Sequence, residues 1–280
     1  MNDRPTIATL LTQGLFHHQQ GDFKNAMERY TAVLRTDPDN TDALYYVAAI
    51  ACQEGQYKQG IDLARRALAR SPQARMHNLI GKALERQGDH LEAVKAFDAA
   101  IALDPNFAEA HGNRASILVA AGLYEEALAG FDRALALDPK AAADWINRGA
   151  LLQDMGRFED AIASYERAIA LHPEAVPAHF NRADAMRAAG RPQDALAAYE
   201  HLLGLVPGLP AAHFGRAVAL NDLGRLEDAL SAVDRALAAK ADLAPAHRLR
   251  GRLLEALGRS EEAQASFARA TELMESGAAG

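Results

Sequence analysis

Three asparagines recur at steps of 34 residues in the middle of the chain, at Asn113, Asn147 and Asn181. A primary amide both donates and accepts hydrogen bonds, so it can pair with a peptide backbone whatever the peptide's sequence. If the three side chains lie on one surface, they form a ladder that can hold an extended peptide. The same amides can instead bridge neighbouring helices, and the sequence leaves both interpretations open.

Apolar side chains accompany this ladder at the position that precedes each asparagine. They are Ile146, Phe180 and, one repeat further on, Phe214. An apolar stripe on an accessible surface is a candidate anchor for a ligand. The alternative is that each side chain packs partly against an adjacent helix. We predict a peptide-binding site made of these three residues and the three asparagines.

Histidines and arginines also recur at equivalent positions. Zinc needs its ligands about 2 Å from one ion, and equivalent positions in stacked helical repeats are separated by about 10 Å or more. We therefore expect the histidines to pack and to bind no metal. We expect the arginines to pair with carboxylates on adjacent helices, such as Asp132, Glu166, Glu200 and Asp234, and an anion-binding groove is the alternative. The two sets are His77, His111, His179, His213 and His247, and Arg114, Arg148, Arg182, Arg216 and Arg250.

No residue pattern indicates catalysis. The sequence contains no glycine-rich phosphate loop, no HExxH, no paired-cysteine motif and no GxSxG elbow. We predict a protein that is not an enzyme, with no catalytic residues and no cofactor.

Eight glycines at a nearly constant spacing show which elements position these side chains. The steps are 34 residues except for one step of 33, and the glycines are Gly21, Gly55, Gly88, Gly122, Gly156, Gly190, Gly224 and Gly258. A period in this range is typical of stacked supersecondary units. Each unit buries its apolar face only against its neighbours.

Each repeat is predicted to be a helical hairpin, whose first and second helices we call A and B. In residues 142–175, Trp145 and Gly149 lie one turn apart on helix A. Gly156 can end that helix in a left-handed conformation. Helix B follows and stops at Pro173, because proline lacks the donor that a continuing helix needs.

Two further positions of the hairpin are restricted in residue type. Helix A carries a small residue in each repeat: Gly14, Ala48, Gly81, Ala115, Gly149, Ala183, Ala217 and Gly251. Helix B carries a bulky residue in most repeats: Tyr30, Ala64, Phe97, Phe131, Tyr165, Tyr199, Val233 and Phe267. The whole pattern resembles the tetratricopeptide repeat family over residues 7–277. The resemblance implies an all-α, right-handed superhelical solenoid of eight antiparallel hairpins, with the A helices lining a concave groove.

The family resemblance also bears on the ligand. The asparagine position is similar to that of the asparagine ladder in the repeat arm of O-GlcNAc transferases, which implies a role in holding extended peptides. Chaperone-binding members capture a terminal carboxylate with lysines and asparagines across three repeats. Asn78, Lys82 and Asn113 match two rungs of that clamp, whereas Ala143 and Asn147 stand at the third. We do not expect chaperone tails as partners.

The repeats set the expected domain organisation. We predict a tail at 1–6, a single solenoid over 7–277 and a tail at 278–280. The last repeat lacks a closing proline and a following helix, so we expect Leu253, Leu257 and Phe267 near an uncovered end that offers a site for homo-oligomer formation. The expected repeats are 7–40, 41–73, 74–107, 108–141, 142–175, 176–209, 210–243 and 244–277.

Composition and net charge limit the class of partner and the cellular compartment that we expect. The net charge of −7 argues against a nucleic-acid surface, which needs a basic stripe. Cys52 is the single cysteine, and neither a signal peptide nor an apolar run long enough to span a membrane is present. We expect a cytoplasmic protein with protein or peptide partners.

The leading hypothesis is a non-catalytic scaffold that binds an extended peptide or partner segment in the concave groove. Two alternatives stay open. The chain could be a self-assembling structural or spacer module that associates through its uncapped end. It could also be the non-catalytic arm of a larger glycosyltransferase- or methyltransferase-type enzyme.

Overall fold

A computed structural model describes residues 5–277, where the chain forms sixteen α-helices and no strand. The all-α prediction is confirmed. The tail expected at 278–280 and most of the tail expected at 1–6 lie outside the described residues. The eight A helices are α1 (Ile7–Gln19), α3 (Thr41–Gln53), α5 (Ala74–Arg86), α7 (Ala108–Ala120), α9 (Ala142–Asp154), α11 (Val176–Ala188), α13 (Pro210–Asp222) and α15 (Ala244–Ala256). The eight B helices are α2 (Phe23–Thr36), α4 (Tyr57–Leu68), α6 (His90–Leu103), α8 (Tyr124–Leu137), α10 (Phe158–Leu171), α12 (Pro192–Leu205), α14 (Leu226–Ala239) and α16 (Ser260–Gly277).

The turn between helices A and B is made by glycine in all eight hairpins. These glycines have φ between 72° and 82°, a region that other L-residues avoid. Each one ends helix A in the left-handed conformation that the spacing predicted. The turns are therefore the same throughout the described chain.

Within a hairpin, helices A and B approach closely at the small position. A Cβ added to Gly149 would lie 2.6 Å from the ring of Tyr165, and one added to Gly81 would lie 2.5 Å from that of Phe97. Tyr165 and Phe97 are fully buried. The aromatic ring of helix B thus fills the space that the missing side chain of helix A leaves free.

The chain divides after Pro139 into two compact units of four hairpins each. Inside each unit, a B helix packs against the A helix that follows it. A helices also contact one another, α3 with α5 and α5 with α7 in the N-terminal unit, and α9, α11, α13 and α15 in succession in the C-terminal unit. We call the surface made by the A helices of a unit its A face. The single solenoid over 7–277 stays a prediction.

The last hairpin corrects one expectation about the C-terminal end. Leu253 is only 1% exposed, so the expectation is wrong for this residue. Leu257 and Phe267 are half-buried, and Phe267 is more exposed than Phe131 and Tyr199, which are fully buried at the equivalent position. Helix α16 continues to Gly277 and carries exposed Gln264 and Thr271. Equivalent positions of other B helices hold apolar residues such as Leu230 and Leu237. The final hairpin therefore presents polar residues where the others present apolar ones.

None of the helices in the described part of the chain is both long and apolar enough to cross a membrane.

Candidate functional site

The predicted asparagines of the ladder have different surroundings. In the N-terminal unit, Asn113 Nδ2 donates to Oδ1 of Asn78 at 3.0 Å, which joins α7 to α5. Asn78 is itself buried. In the C-terminal unit, half-buried Asn181 lies near the hydroxyl of Tyr165, which donates to Oε1 of Gln153 at 3.3 Å, and Asn147 is exposed. The contacts of Asn113 and Asn181 favour a bridging role, which was the alternative interpretation.

The contact between Asn181 and Tyr165 depends on the small residue of helix A. Because Gly149 has no side chain, the Tyr165 ring lies against its own helix A, and Asn181 fits beside its hydroxyl. The next hairpin has Ala183 at the small position. Its Tyr199 lies instead against the following A helix, where a Cβ on Gly215 would be 2.7 Å from the Tyr199 hydroxyl oxygen. The recurrent asparagines therefore end before the hairpin whose A helix packs against the Tyr199 ring of the preceding hairpin.

The apolar stripe lies on the C-terminal unit. Ile146, Phe180 and Phe214 are each half-buried, so part of each side chain packs and part stays accessible. Phe180 meets the ring of Tyr199 edge-on, with centroids 5.8 Å apart. Phe180 and Phe214 both pack against the buried core of this unit. These side chains therefore pack on one side, which was the alternative interpretation, and their other side is available to a ligand.

A chain of polar contacts runs across three A helices of the same unit. Gln153 Nε2 on α9 donates to Asp184 Oδ2 on α11 at 3.1 Å. Arg187 lies 3.3 Å from Asp184 and 3.7 Å from Asp222 on α13. The repeat pattern does not reveal these residues, because their types differ from repeat to repeat. Their positions still follow the stripe at helical spacing, since Asp184 and Arg187 come four and seven residues after Phe180.

Two concavities adjoin Phe214 at the end of this A face. One, of about 340 Å³, is almost wholly apolar and is lined by Leu209, Phe214, Leu243 and Pro245, with Lys240 at its rim. The other, of about 440 Å³, lies between α13 and α15. Its polar lining includes Asn221, Asp222, Arg248 and Arg252, and Met274 of α16 forms part of its wall. Apolar and charged surfaces therefore meet at Phe214.

The N-terminal unit has a groove of its own on the A face, with a volume of about 660 Å³. Tyr45, Tyr46 and Lys82 line it, together with Cys52. The guanidinium of Arg75 lies 4.6 Å from the centre of the Tyr45 ring. Burial raises the pKa of the Cys52 thiol, which disfavours the reactive thiolate. The Cys52 thiol in this groove is therefore not activated as a nucleophile.

The recurrent histidines are structural, as predicted, and the structure adds a hydrogen bond that the sequence did not reveal. In four of the five, which excludes His77, the Nε2 atom lies within hydrogen-bonding distance of a carbonyl in the loop before the same helix. The four pairs are His111 with Pro105 at 3.1 Å, His179 with Pro173 at 2.7 Å, His213 with Pro207 at 2.8 Å and His247 with Ala241 at 2.9 Å. Among the described residues, no group of His, Cys, Asp or Glu side chains is arranged to hold a metal ion.

Three of the recurrent arginines pair with carboxylates sixteen residues earlier in the chain, whereas within the described residues Arg182 makes no ion pair with Glu166 and its buried Nε has no hydrogen-bond partner. Arg216 lies 3.2 Å from Glu200 and Arg250 lies 2.7 Å from Asp234, and both pairs are confirmed as predicted. Arg114 makes the equivalent pair with Asp98 at 2.6 Å. These three arginines are therefore engaged within the protein and are not free to bind an anion.

Comparison with known proteins identifies the repeat. Family profiles described as "Tetratricopeptide repeat" match residues 17–83, 78–142, 146–210, 186–253 and 244–275. One curated relative, the Protein CTR9 homolog of Arabidopsis thaliana, is 31% identical over 118 residues, which are 41% of this chain and 10% of the relative. The chain thus spans about a tenth of the length of that relative.

Solved structures share the arrangement of helices at low sequence identity. A tetratricopeptide repeat protein from Parabacteroides merdae aligns over 95% of this chain and 93% of its own, with a TM-score of 0.57 and 19% identity. YrrB, described as a TPR protein with an unusual peptide-binding site, aligns over 64% of this chain and 93% of its own, with a TM-score of 0.52 and 23% identity. These likenesses concern the fold.

Proposed function

Because this chain belongs to the tetratricopeptide repeat family, we propose that it is a non-catalytic scaffold that binds an extended peptide or partner segment on its A helices. The observation that carries the proposal is the half-exposed apolar stripe beside an apolar concavity on the C-terminal A face. YrrB, which has a similar fold, is described as having a peptide-binding site. Apolar pockets with a few convergent polar groups are the usual sites of ligand recognition.

In this proposal the stripe and the polar contacts have separate roles. Ile146, Phe180 and Phe214 anchor side chains of the peptide by removing apolar surface from water. Asp184 and Arg187 are held by their mutual contacts, so they present fixed polar groups to the peptide backbone. Fixed groups lose less conformational entropy on binding than mobile ones.

The asparagines have a secondary role in the proposal. A primary amide has two donor hydrogens and an acceptor oxygen with two lone pairs, so one bridging bond leaves further capacity. Asn113 can therefore support the helices and still offer hydrogen bonds to a peptide, and the exposed Asn147 and half-buried Asn181 can offer theirs as well. Replacing all three with Ala should weaken binding less than replacing the stripe.

A display library of random dodecapeptides tests the proposal with the full-length chain as bait. We expect enriched peptides whose affinity falls at least tenfold, about 1.4 kcal/mol, in the Phe180→Ala/Phe214→Ala variant. Leu91→Ala is the matched control, because Leu91 is an exposed apolar residue on a B helix. Failure to enrich any peptide, or equal loss in the control, would remove the proposal.

Self-association through the C-terminal end is the rival proposal that the sequence raised. Polar Gln264 and Thr271 stand there in place of the apolar residues of earlier B helices, which reduces the apolar surface that association could bury. Light scattering over a range of concentrations separates the two, and a concentration-dependent increase in mass would favour the rival.

A further inference from the structure

We infer that the end of the A face formed by α13, α15 and α16 selects peptides in which a bulky apolar residue is flanked by carboxylates. This inference rests on the proposed function and names the class of peptide that the site takes. It depends on the meeting of an apolar pocket with unpaired cations at Phe214. The positive charges of these cations are what make the site select one class of peptide.

The apolar pocket supplies the anchor. Leu209 and Leu243 come from the loops that precede α13 and α15, and Phe214 and Pro245 complete the walls. Its volume of about 340 Å³ is at the lower end of the range for ligand sites. A pocket of this size and lining accepts one large aliphatic or aromatic side chain of a peptide.

The cations lie next to that pocket on α15. Arg248 and Arg252 are exposed and line the second concavity with Phe214. Arg248 is close to the sulfur of Met274, at 2.8 Å, a contact that leaves its charge uncompensated. Within residues 5–277, neither arginine has a carboxylate within ion-pair distance. Two positive charges are therefore available to a ligand.

The other charged groups near Phe214 are already partnered. Arg187 lies 3.7 Å from Asp222, the acidic residue of the second concavity. Lys240 at the pocket rim lies 3.9 Å from Asp242 in an exposed pair. Arg187 also pairs with Asp184, so these groups together with Arg248 and Arg252 carry four positive and three negative charges, a net positive balance in a protein of net charge −7. An acidic peptide complements this surface, and a basic one is repelled by it.

Met274 makes the second concavity adaptable. Its unbranched thioether side chain is 42% exposed at the edge of the site. Methionine side chains change rotamer readily and fill irregular gaps. The site can therefore accept aliphatic or aromatic anchors of different shape while the arginines keep the requirement for carboxylates.

The composition of library-selected peptides tests the inference. We expect dodecapeptides enriched on the wild-type chain to carry a Phe, Leu, Trp or Met next to Asp or Glu. Synthetic copies in which Lys replaces the acidic residues should bind about tenfold more weakly, since each exposed ion pair contributes modestly. The Arg248→Glu/Arg252→Glu variant should lose the acidic peptides and gain the lysine copies. The exchange of preference is a readout that simple destabilisation cannot produce.

The control changes the same number of charges on the opposite side of the hairpins. Arg167→Glu/Arg235→Glu alters two exposed arginines on B helices and should leave the preference unchanged. Enriched peptides without an acidic bias, but still sensitive to Phe180→Ala/Phe214→Ala, would overturn the inference and keep the proposed function. Loss of self-association, rather than of peptide binding, in the Arg248→Glu/Arg252→Glu variant would assign the surface to a second copy and overturn the inference.

Discussion

Tyr199 fills a space that Gly215 leaves open on the next A helix. An added Cβ at Gly215 would lie 2.5 Å from Cε1 of the ring, which is much shorter than a normal contact. We predict that Gly215→Ala destabilises the protein by about 1–3 kcal/mol despite the better helix propensity of Ala. Urea unfolding monitored by circular dichroism measures the change.

A double-mutant cycle shows whether the ring is responsible. Ala183→Gly opens the space that Gly149 provides for Tyr165, so Tyr199 can move back towards its own helix A. Gly215→Ala should therefore cost less in the Ala183→Gly background than alone. Additive free energies of unfolding would contradict this explanation. Gly204→Ala serves as the control, since no atom lies within 4 Å of its added Cβ and the change should stabilise by about 0.5 kcal/mol.

At the scale of single helices, side-chain capping differs between B helices. Asp22 and Asp89 cap α2 and α6 by accepting from the backbone N–H three residues on, at 3.2 and 3.4 Å. Leu123 occupies the same position before α8 with similar backbone angles, φ −88° and ψ 62°, but its side chain makes no cap. The side chain is also 48% exposed.

We predict that Leu123→Asp stabilises the protein by about 1 kcal/mol. The new carboxylate would accept from the N–H of Glu126, and Glu126 would complete a capping box. Leu123→Ala removes the same exposed side chain without adding a cap, and thermal unfolding of the two variants isolates the cap. Equal melting temperatures for the two would count against it.

Loops between hairpins are tied to the following B helix. Asp39, in the loop after α2, accepts from Nε and Nη2 of Arg66 on α4 at 3.2 and 3.0 Å, and also pairs with Arg70. The hydrogen bond from Arg66, followed by that from Arg70, lowers the pKa of the Asp39 carboxyl. A lowered folded-state pKa stabilises the protein above the ordinary pKa of aspartate, about 3.9.

We predict that this stabilisation is lost as the pH falls below about 4 towards the lowered pKa of Asp39. Asp39→Asn should therefore unfold more easily at neutral pH and show a flatter dependence of the urea midpoint on pH in the acidic range. Asp62→Asn, on the exposed side of α4, is the control. Parallel pH profiles for the wild type and Asp39→Asn would show that the pair does not contribute.

At the scale of the whole molecule, the polar end of the last hairpin limits stacking. Gln264 and Thr271 stand where earlier B helices present apolar residues to the next hairpin. Terminal repeats need such a polar surface to stay soluble. We predict that Gln264→Leu/Thr271→Leu associates in a concentration-dependent way, measured by light scattering.

Ala265→Leu/Glu272→Leu is the control for association, because both positions are exposed on α16 and equivalent positions of other B helices are also exposed. If both variants stay at the mass of the wild type, the polar residues do not act as a cap.

The 34-residue period was sufficient to predict the helical hairpins and the glycine turns. It predicted them because the two helices of each hairpin pack against each other at the same sequence positions. The contacts of Gln153, Asp184, Arg187 and Asp222 were missed because they change from repeat to repeat. Leu253 is buried like Ile117 and Leu151 at the equivalent positions of earlier hairpins, so its burial follows the repeat and does not need a following hairpin. The residues that recur in each repeat determine the fold of this chain, whereas the residues that change between repeats determine what its surface offers to a ligand.

The opposite placements of Tyr165 and Tyr199 have a consequence for exchanging parts of this protein. The Tyr165 ring fits against Gly149 of its own helix A, whereas the Tyr199 ring fits against Gly215 on the helix A of the next hairpin. A hairpin cut at the sequence boundary and grafted elsewhere would separate Tyr199 from Gly215 and keep it with Ala183. For the hairpin that carries Tyr199, the transferable module is therefore offset from the sequence repeat. It must include the first helix of the following hairpin, and recombination that respects this offset should give folded chimaeras where whole-repeat shuffling does not.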